Sequence, residues 1–362
     1  MRIAQIAPLY ESVPPQRYGG TERVVSYLTE ELVRRGHEVT LFASGDSVTS
    51  ATLRPACDRA LRLRGEAIID PLACHVRMLE MVAAEAENFD LIHYHIDYLH
   101  FPVTRRQQTP SVTTLHGRLN IPELHPLFRE FQDMPLVSIS NAQRLPVPVA
   151  NWAGTVYHGL PPDLIRVPNA GVERKYLAFL GRICPEKGVD RAIEIARRAR
   201  MPLKIAAKVD PADRKYFETE IRALLDDPLV DYVGEIGELE KPAFLGNAHA
   251  VLFPIDWPEP FGLVLIESMA AGTPVIAYKM GSVPEIVEDG VTGYLVHGVE
   301  DAVKAVERAG ALDRRVCRRR FEERFSVQRM CQDYEKIFRR LTAHQVPGQA
   351  EMTAGTAAIF AD

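Results

Sequence analysis

The chain has 362 residues, 46% of them apolar and 25% charged, with a formal net charge of -5. This is room for two domains of ordinary size, and the composition is that of a globular protein, not a disordered or fibrous one. The lack of a basic surplus argues against nucleic acid as a partner, and no run of about 20 apolar residues offers a membrane span.

Met1–Ala7 is too short to read as a signal sequence, and Ile3–Ala7 reads as a short apolar strand. Thr21–Arg35 follows with apolar residues at 24, 25, 28, 32 and 33, a helical stripe that Gly36 closes. Glu38–Ala43 alternates as a strand, Pro71–Asn88 reads as helix, and Leu91–Tyr94, Ser111–Leu115 and Leu136–Ile139 read as short strands. Such alternation argues for a parallel sheet with right-handed crossovers.

A second alternation begins at Lys175. Tyr176–Leu180, Leu203–Ala207, Val230–Val233, Ala250–Pro254 and Pro274–Ala277 are its predicted strands. The predicted helices Val189–Arg200, Asp213–Leu225 and Glu240–Asn247, with one carrying Glu267, lie between them. Residues 159–173 join the two sets, with Pro161-Pro162 and Pro168-Asn169 as turns. The expected organisation is a first doubly wound domain over 1–160, a second over 174–325, a closing helix over 326–341 and a flexible tail over 342–362.

Five scattered cysteines without C-x-x-C predict reduced thiols in a cytoplasmic protein. Residues 1–168 carry 16 arginines, no lysine and 18 acidic residues, which is not a surface for tight docking on anionic lipid. At most peripheral membrane contact is expected, with the arginines at 54, 59, 62 and 64 as a local docking patch.

The chemistry concentrates at strand ends. Gly181-Arg182-Ile183-Cys184-Pro185-Glu186-Lys187-Gly188 places a planar fork and a point charge five residues apart around a turn, a pairing suited to a diphosphate or to an ordinary solvated loop. Glu259-Pro-Phe-Gly-Leu-Val-Leu-Ile-Glu267 is a loop running into a helix, whose first amides are free to hold an anion between the two glutamates. Gly19-Gly20 precedes the first helix, where backbone can approach a ligand closely. G-x-G-x-x-G occurs nowhere, so a nicotinamide cofactor has no fingerprint here. His93-x-His95 invites a metal reading, but no third ligand stands at metal spacing.

The spacing E-x7-E with Pro-Phe-Gly behind the first glutamate resembles the donor site of the family 4 glycosyltransferases, which are retaining enzymes of the GT-B fold. The resemblance covers about residues 2–340. It implies two Rossmann-like domains facing a cleft, with the C-terminal helix crossing back to the first domain. It assigns Arg182 and Lys187 to the donor diphosphate, Glu267 to the ribose and Glu259 to the transferred sugar. The amides of Phe261, Gly262 and Leu263 would hold phosphate or sugar oxygens, Val233 and Gly234 would line the base, and Gly19 and Gly20 would approach the phosphates. His116 would stand against the sugar, with His95, Asp97 and Asn141 bordering the acceptor. The turns at Gly281–Glu285 and Gly290–Gly293 also match the family, and their glycines read as structural.

The implied reaction moves a hexose from a nucleotide-diphosphate sugar to a hydroxyl, with UDP-glucose expected ahead of other UDP-hexoses and GDP-mannose. The acceptor is a lipid-linked sugar, a polysaccharide or a small molecule. D-x-D is absent, so no metal and no tightly bound cofactor are expected, and Arg182, Lys187 and the helix amides would carry the developing charge. A sugar-nucleotide epimerase and a catalytically inactive nucleotide-sugar-binding relative stand as alternatives.

Overall fold

In the computed structural model, seven parallel strands form the first sheet: β1 (Arg2–Ile6), β2 (Glu38–Ser44), β3 (Thr52–Cys57), β4 (Leu91–Tyr94), β5 (Ser111–Thr114), β6 (Leu136–Ser138) and β7 (Trp152–Thr155). They lie in the order β3-β2-β1-β4-β5-β6-β7. The second sheet, also parallel, contains β8 (Leu177–Arg182), β9 (Leu203–Lys208), β10 (Val230–Gly234), β11 (Ala250–Phe253), β12 (Val275–Tyr278) and β13 (Gly293–Val296). Its order is β10-β9-β8-β11-β12-β13. The described residues are 1–16, 19–67, 70–167 and 174–343. The expected Pro168-Asn169 turn, and the expected tail from residue 344 on, lie outside them.

Helices cover the sheets: α1 (Gly20–Arg34) and α2 (Pro71–Glu85) in the first domain, α3 (Val189–Ala199), α4 (Leu263–Ala270), α5 (Val299–Ala309) and α6 (Arg314–Arg324) in the second. The apolar stripe of α1 does what its period requires: Val24, Val25, Leu28 and Leu32 are buried, and Gly36 follows at φ 86. The last helix, α7 (Val327–Thr342), follows the second domain in sequence but packs on the first. Its Met330, Tyr334 and Phe338 share a core with Ile3, Val24 and Val137. Arg35 and His37 clasp Glu335 at 2.8 and 3.0 Å, and the guanidinium holds that carboxyl down at about 2. The fold is therefore GT-B.

Three strands (β3, β7 and β13) and several helices, α5 and α6 the longest of them, add to the elements expected from sequence. One expected element is corrected. The single helix over 213–225 is broken into a short α-turn at Arg214–Tyr216, a π-turn at Phe217–Ile221 and a 3-10 turn at Arg222–Asp226. Ile221 is the only fully buried residue of that stretch, so packing does not enforce one helical period.

Candidate active site

In each sheet the strand order reverses once, between β1 and β4 and between β8 and β11. Loops leaving the carboxyl ends of strands that flank such a reversal diverge to opposite faces and leave a crevice. The two crevices face each other and share one cavity of about 790 Å³. Gly19 and Gly20 follow β1, His95 and Asp97 follow β4, Arg182 and Lys187 close β8, and Glu259 to Leu263 follow β11; all line that cavity.

Two helix N-termini meet there. Gly20 opens α1 and Gly262, at φ 84, caps α4. A Cβ on Gly20 would sit 3.6 Å from the Leu263 side chain, so the ends face each other across the cleft. Neither cap carries a side-chain hydrogen bond, so the first amides remain to meet a ligand anion.

The glutamates are both buried, and each is paired. Lys187 Nζ donates to Glu259 Oε2, which also accepts from Trp257 Nε1 at 2.9 Å. Lys241 Nζ donates to Glu267 Oε1 at 2.7 Å and lies 3.7 Å from Glu238. Glu238 in turn pairs with Arg23 of α1, which links the two domains across the cleft. Arg182 lies beside Asp213 at 3.2 Å and Asp210 at 3.8 Å. The cations are thus held in place by carboxylates while still facing the cavity.

On the first domain, Gln5, His95 and His116 form a chain. His95 Nε2 lies 2.8 Å from Gln5 Oε1, and His95 Nδ1 lies 2.9 Å from His116 Nε2. His158 stacks on His116 at 5.3 Å and meets Phe261 edge-on at 4.7 Å. Burial pushes His116 down to about 3 and His95 and His158 well below the ordinary range, so these rings are neutral near pH 7. A neutral imidazole offers hydrogen bonds and no charge, which suits it to a sugar hydroxyl. The crowding protein pushes the Asp97 carboxyl up to about 6, against the lowering effect of the His116 backbone N–H.

Three of the expected site residues lie off the cavity lining. Asn141 does not line the cavity; its backbone N and Nδ2 donate to Glu285 Oε2 at 2.8 and 3.0 Å, so it ties the two domains together. Val233 and Gly234 also lie off the cavity, which begins two residues later at Glu235 and Ile236. Gly234 at φ 78 turns the chain there. Among the cavity residues that escaped the sequence reading are Lys241, Trp257, Arg23 and His158. Trp257 carried a signal, standing two residues before Glu259 beside a loop read as a ligand site; the others are joined to the motif only by the fold.

Gly281 holds the Glu259 loop from behind. It sits at φ 52, and a Cβ there would lie 2.5 Å from both N and O of Glu259. Gly281→Ala is expected to cost roughly 2 kcal/mol or more, measured by urea unfolding. Gly290→Ala is the control, because Gly290 has φ 71 but open space around it. Equal losses in the two variants would refute the buttressing role.

Taken together, two parallel α/β domains with one cleft over both switch points define a GT-B site for an anionic, hydroxyl-bearing ligand. Residues 18–175 match the family described as Glycosyltransferase Family 4, and residues 162–324 match Glycosyl transferases group 1. The chain belongs to the family 4 glycosyltransferases. It is 26% identical over 252 residues to alpha-maltose-1-phosphate synthase of Mycobacterium tuberculosis, covering 56% of this chain and 63% of that one. It is 24% identical over 356 residues to phosphatidyl-myo-inositol mannosyltransferase of Mycobacterium leprae, covering 89% and 90%. Among solved structures, Anabaena HepE in complex with UDP and glucose superposes with a TM-score of 0.69 at 19% identity, covering 96% of this chain and all of that one. No described helix is long and apolar enough to cross a membrane.

Proposed function

We propose that the protein transfers a hexose from a nucleotide-diphosphate sugar to a hydroxyl acceptor, with retention of anomeric configuration and without a divalent metal. The observation that carries this is the convergence of two helix N-termini, Lys187, Arg182, Glu259 and Glu267 on one cavity at both switch points. Fixed positive charge and oriented dipoles at the place where a leaving diphosphate gathers charge lower the barrier most effectively. Lys187 and Arg182 take the diphosphate, Glu267 accepts from ribose hydroxyls, Glu259 accepts from the transferred sugar, and His116 holds a sugar hydroxyl. The Glu259 carboxylate is already tied to Lys187 and Trp257, so it orients sugar and does not attack it. A donor phosphate oxygen takes the acceptor's proton on the same face.

UDP-glucose is the favoured donor, in keeping with the HepE complex, and GDP-mannose follows, in keeping with the mannosyltransferase relative. The test is transfer followed by NMR of the product anomer, with and without EDTA. A product of retained configuration formed at an undiminished rate in EDTA is expected. An inverted product or loss of activity in EDTA would overturn the mechanism, and conversion of donor alone to an isomeric sugar nucleotide would make the protein an epimerase.

A further inference from the structure

The donor half of the cavity is accounted for by charge and helix ends; the opposite half has a different chemistry. There Tyr10, Leu72 and Tyr98 line the cavity while 40, 53 and 42% exposed, an apolar surface left open to water inside a cleft. Tyr10 is not loosely placed. Its ring packs against His75 at 5.2 Å and under the Arg62 guanidinium at 5.6 Å, while the His75 ring accepts from the Leu9 backbone at 3.3 Å. Between Tyr98 and the His95–His116 pair stands Asp97, at φ 53, a left-handed conformation that costs a non-glycine residue energy and collects at functional sites. Its carboxylate lines the cavity beside the expected position of the transferred sugar.

Resting on the glycosyltransferase reading, we infer that this half is a subsite for a neutral sugar ring: the acceptor lays an apolar C–H face on Tyr10 and Tyr98 and donates hydroxyl hydrogens to Asp97. Aromatic faces beside a carboxylate suit a ring with one apolar face and a rim of hydroxyl donors. A phosphorylated acceptor fits poorly. Arg62 is engaged by Glu11 at 3.2 Å, and both Asp97 and Glu22 face the same space. An acyl chain would cover Asp97 and leave its carboxylate only the His116 backbone N–H, a costly outcome for a carboxylate under a ligand.

The experiment is a transfer assay with the full chain, the donor nucleotide sugar that binds, and a panel of methyl glycosides and neutral oligosaccharides. Glycerol phosphate, inositol phosphate and phosphatidylinositol vesicles complete it. Transfer to neutral glycosides is expected. Asp97→Asn, which keeps the backbone constraint, and Tyr98→Ala should each raise the acceptor KM by about tenfold, the worth of one good polar or stacking contact. The UDP dissociation constant should stay within about twofold. Transfer only to phosphorylated or lipid acceptors, or unchanged acceptor KM in both variants, overturns the inference and leaves the donor assignment standing. Failure of the unaltered protein to bind any sugar nucleotide overturns both.

Discussion

Replacing Lys187 with alanine is expected to lower turnover by about 10²- to 10³-fold, the range seen when one preorganised donor to a developing anion is lost. Its ammonium is fixed in advance: it donates to Glu259 and lies 5.2 Å from the Trp257 ring centroid and 5.6 Å from that of Phe253. A cation already in position does not have to be reorganised as the bond to the diphosphate breaks. The variant also strands the Glu259 carboxylate, so thermal unfolding must be followed beside turnover. Glu267→Ala is the cleaner companion. Lys241 keeps Glu238 as a partner when Glu267 is gone, so the fold should stand while activity falls by orders of magnitude. Near-normal turnover in both variants, measured at saturating donor, would remove the donor site from where it is drawn here.

The second large effect is on stability in acid. His93, His95, His100, His116 and His158 are held neutral by burial, with His100 and His116 down at about 3 and the other three well below the usual value. In the unfolded chain each titrates at about 6.5. Between those values the unfolded state binds protons that the folded state refuses, so stability falls as pH drops below about 6.5. Each such site contributes up to about 1.4 kcal/mol per pH unit. Asp97 and Glu22, whose carboxyls are raised, act in the opposite sense and take back part of the slope. The net sense is a loss of stability as the solution is acidified from pH 6.5 toward pH 5, because five buried neutral histidines outnumber the two raised carboxyls. Urea unfolding midpoints at pH 7.5, 6.5, 5.5 and 5.0 measure it. A flat profile would mean that these rings take up protons in the folded state and are not sealed as described.

Much of this was legible in the residues because the ligand loops are local. A strand end, a glycine and the first turn of a helix are contiguous, so Arg182 with Lys187 and Glu259 with Glu267 could be read together before any fold was known. What escaped were contacts between distant segments. The partner of Glu267 is Lys241, 26 residues earlier, and the bridge from Glu238 reaches back to Arg23 in the other domain. Asn141 read as a cleft residue because it follows a strand, yet Glu285, 144 residues away, claims it. Edge strands escaped for another reason. β3 carries Pro55 and only two buried residues, and β7 has four half-buried positions including Gly154, so neither shows the apolar run of a central parallel strand. α6 hides its helical period because only Cys317 and Phe321 are buried in a stretch dominated by arginine.

The most direct test of the account is calorimetric titration of the full chain with UDP, GDP, UDP-glucose and GDP-mannose in EDTA, repeated with Lys187→Ala. Micromolar binding of one nucleotide family without metal, weakened at least tenfold by the substitution, is the predicted result. Binding by none of the four, or binding that Lys187→Ala leaves unchanged, would contradict the claim that this cleft is a nucleotide-sugar site.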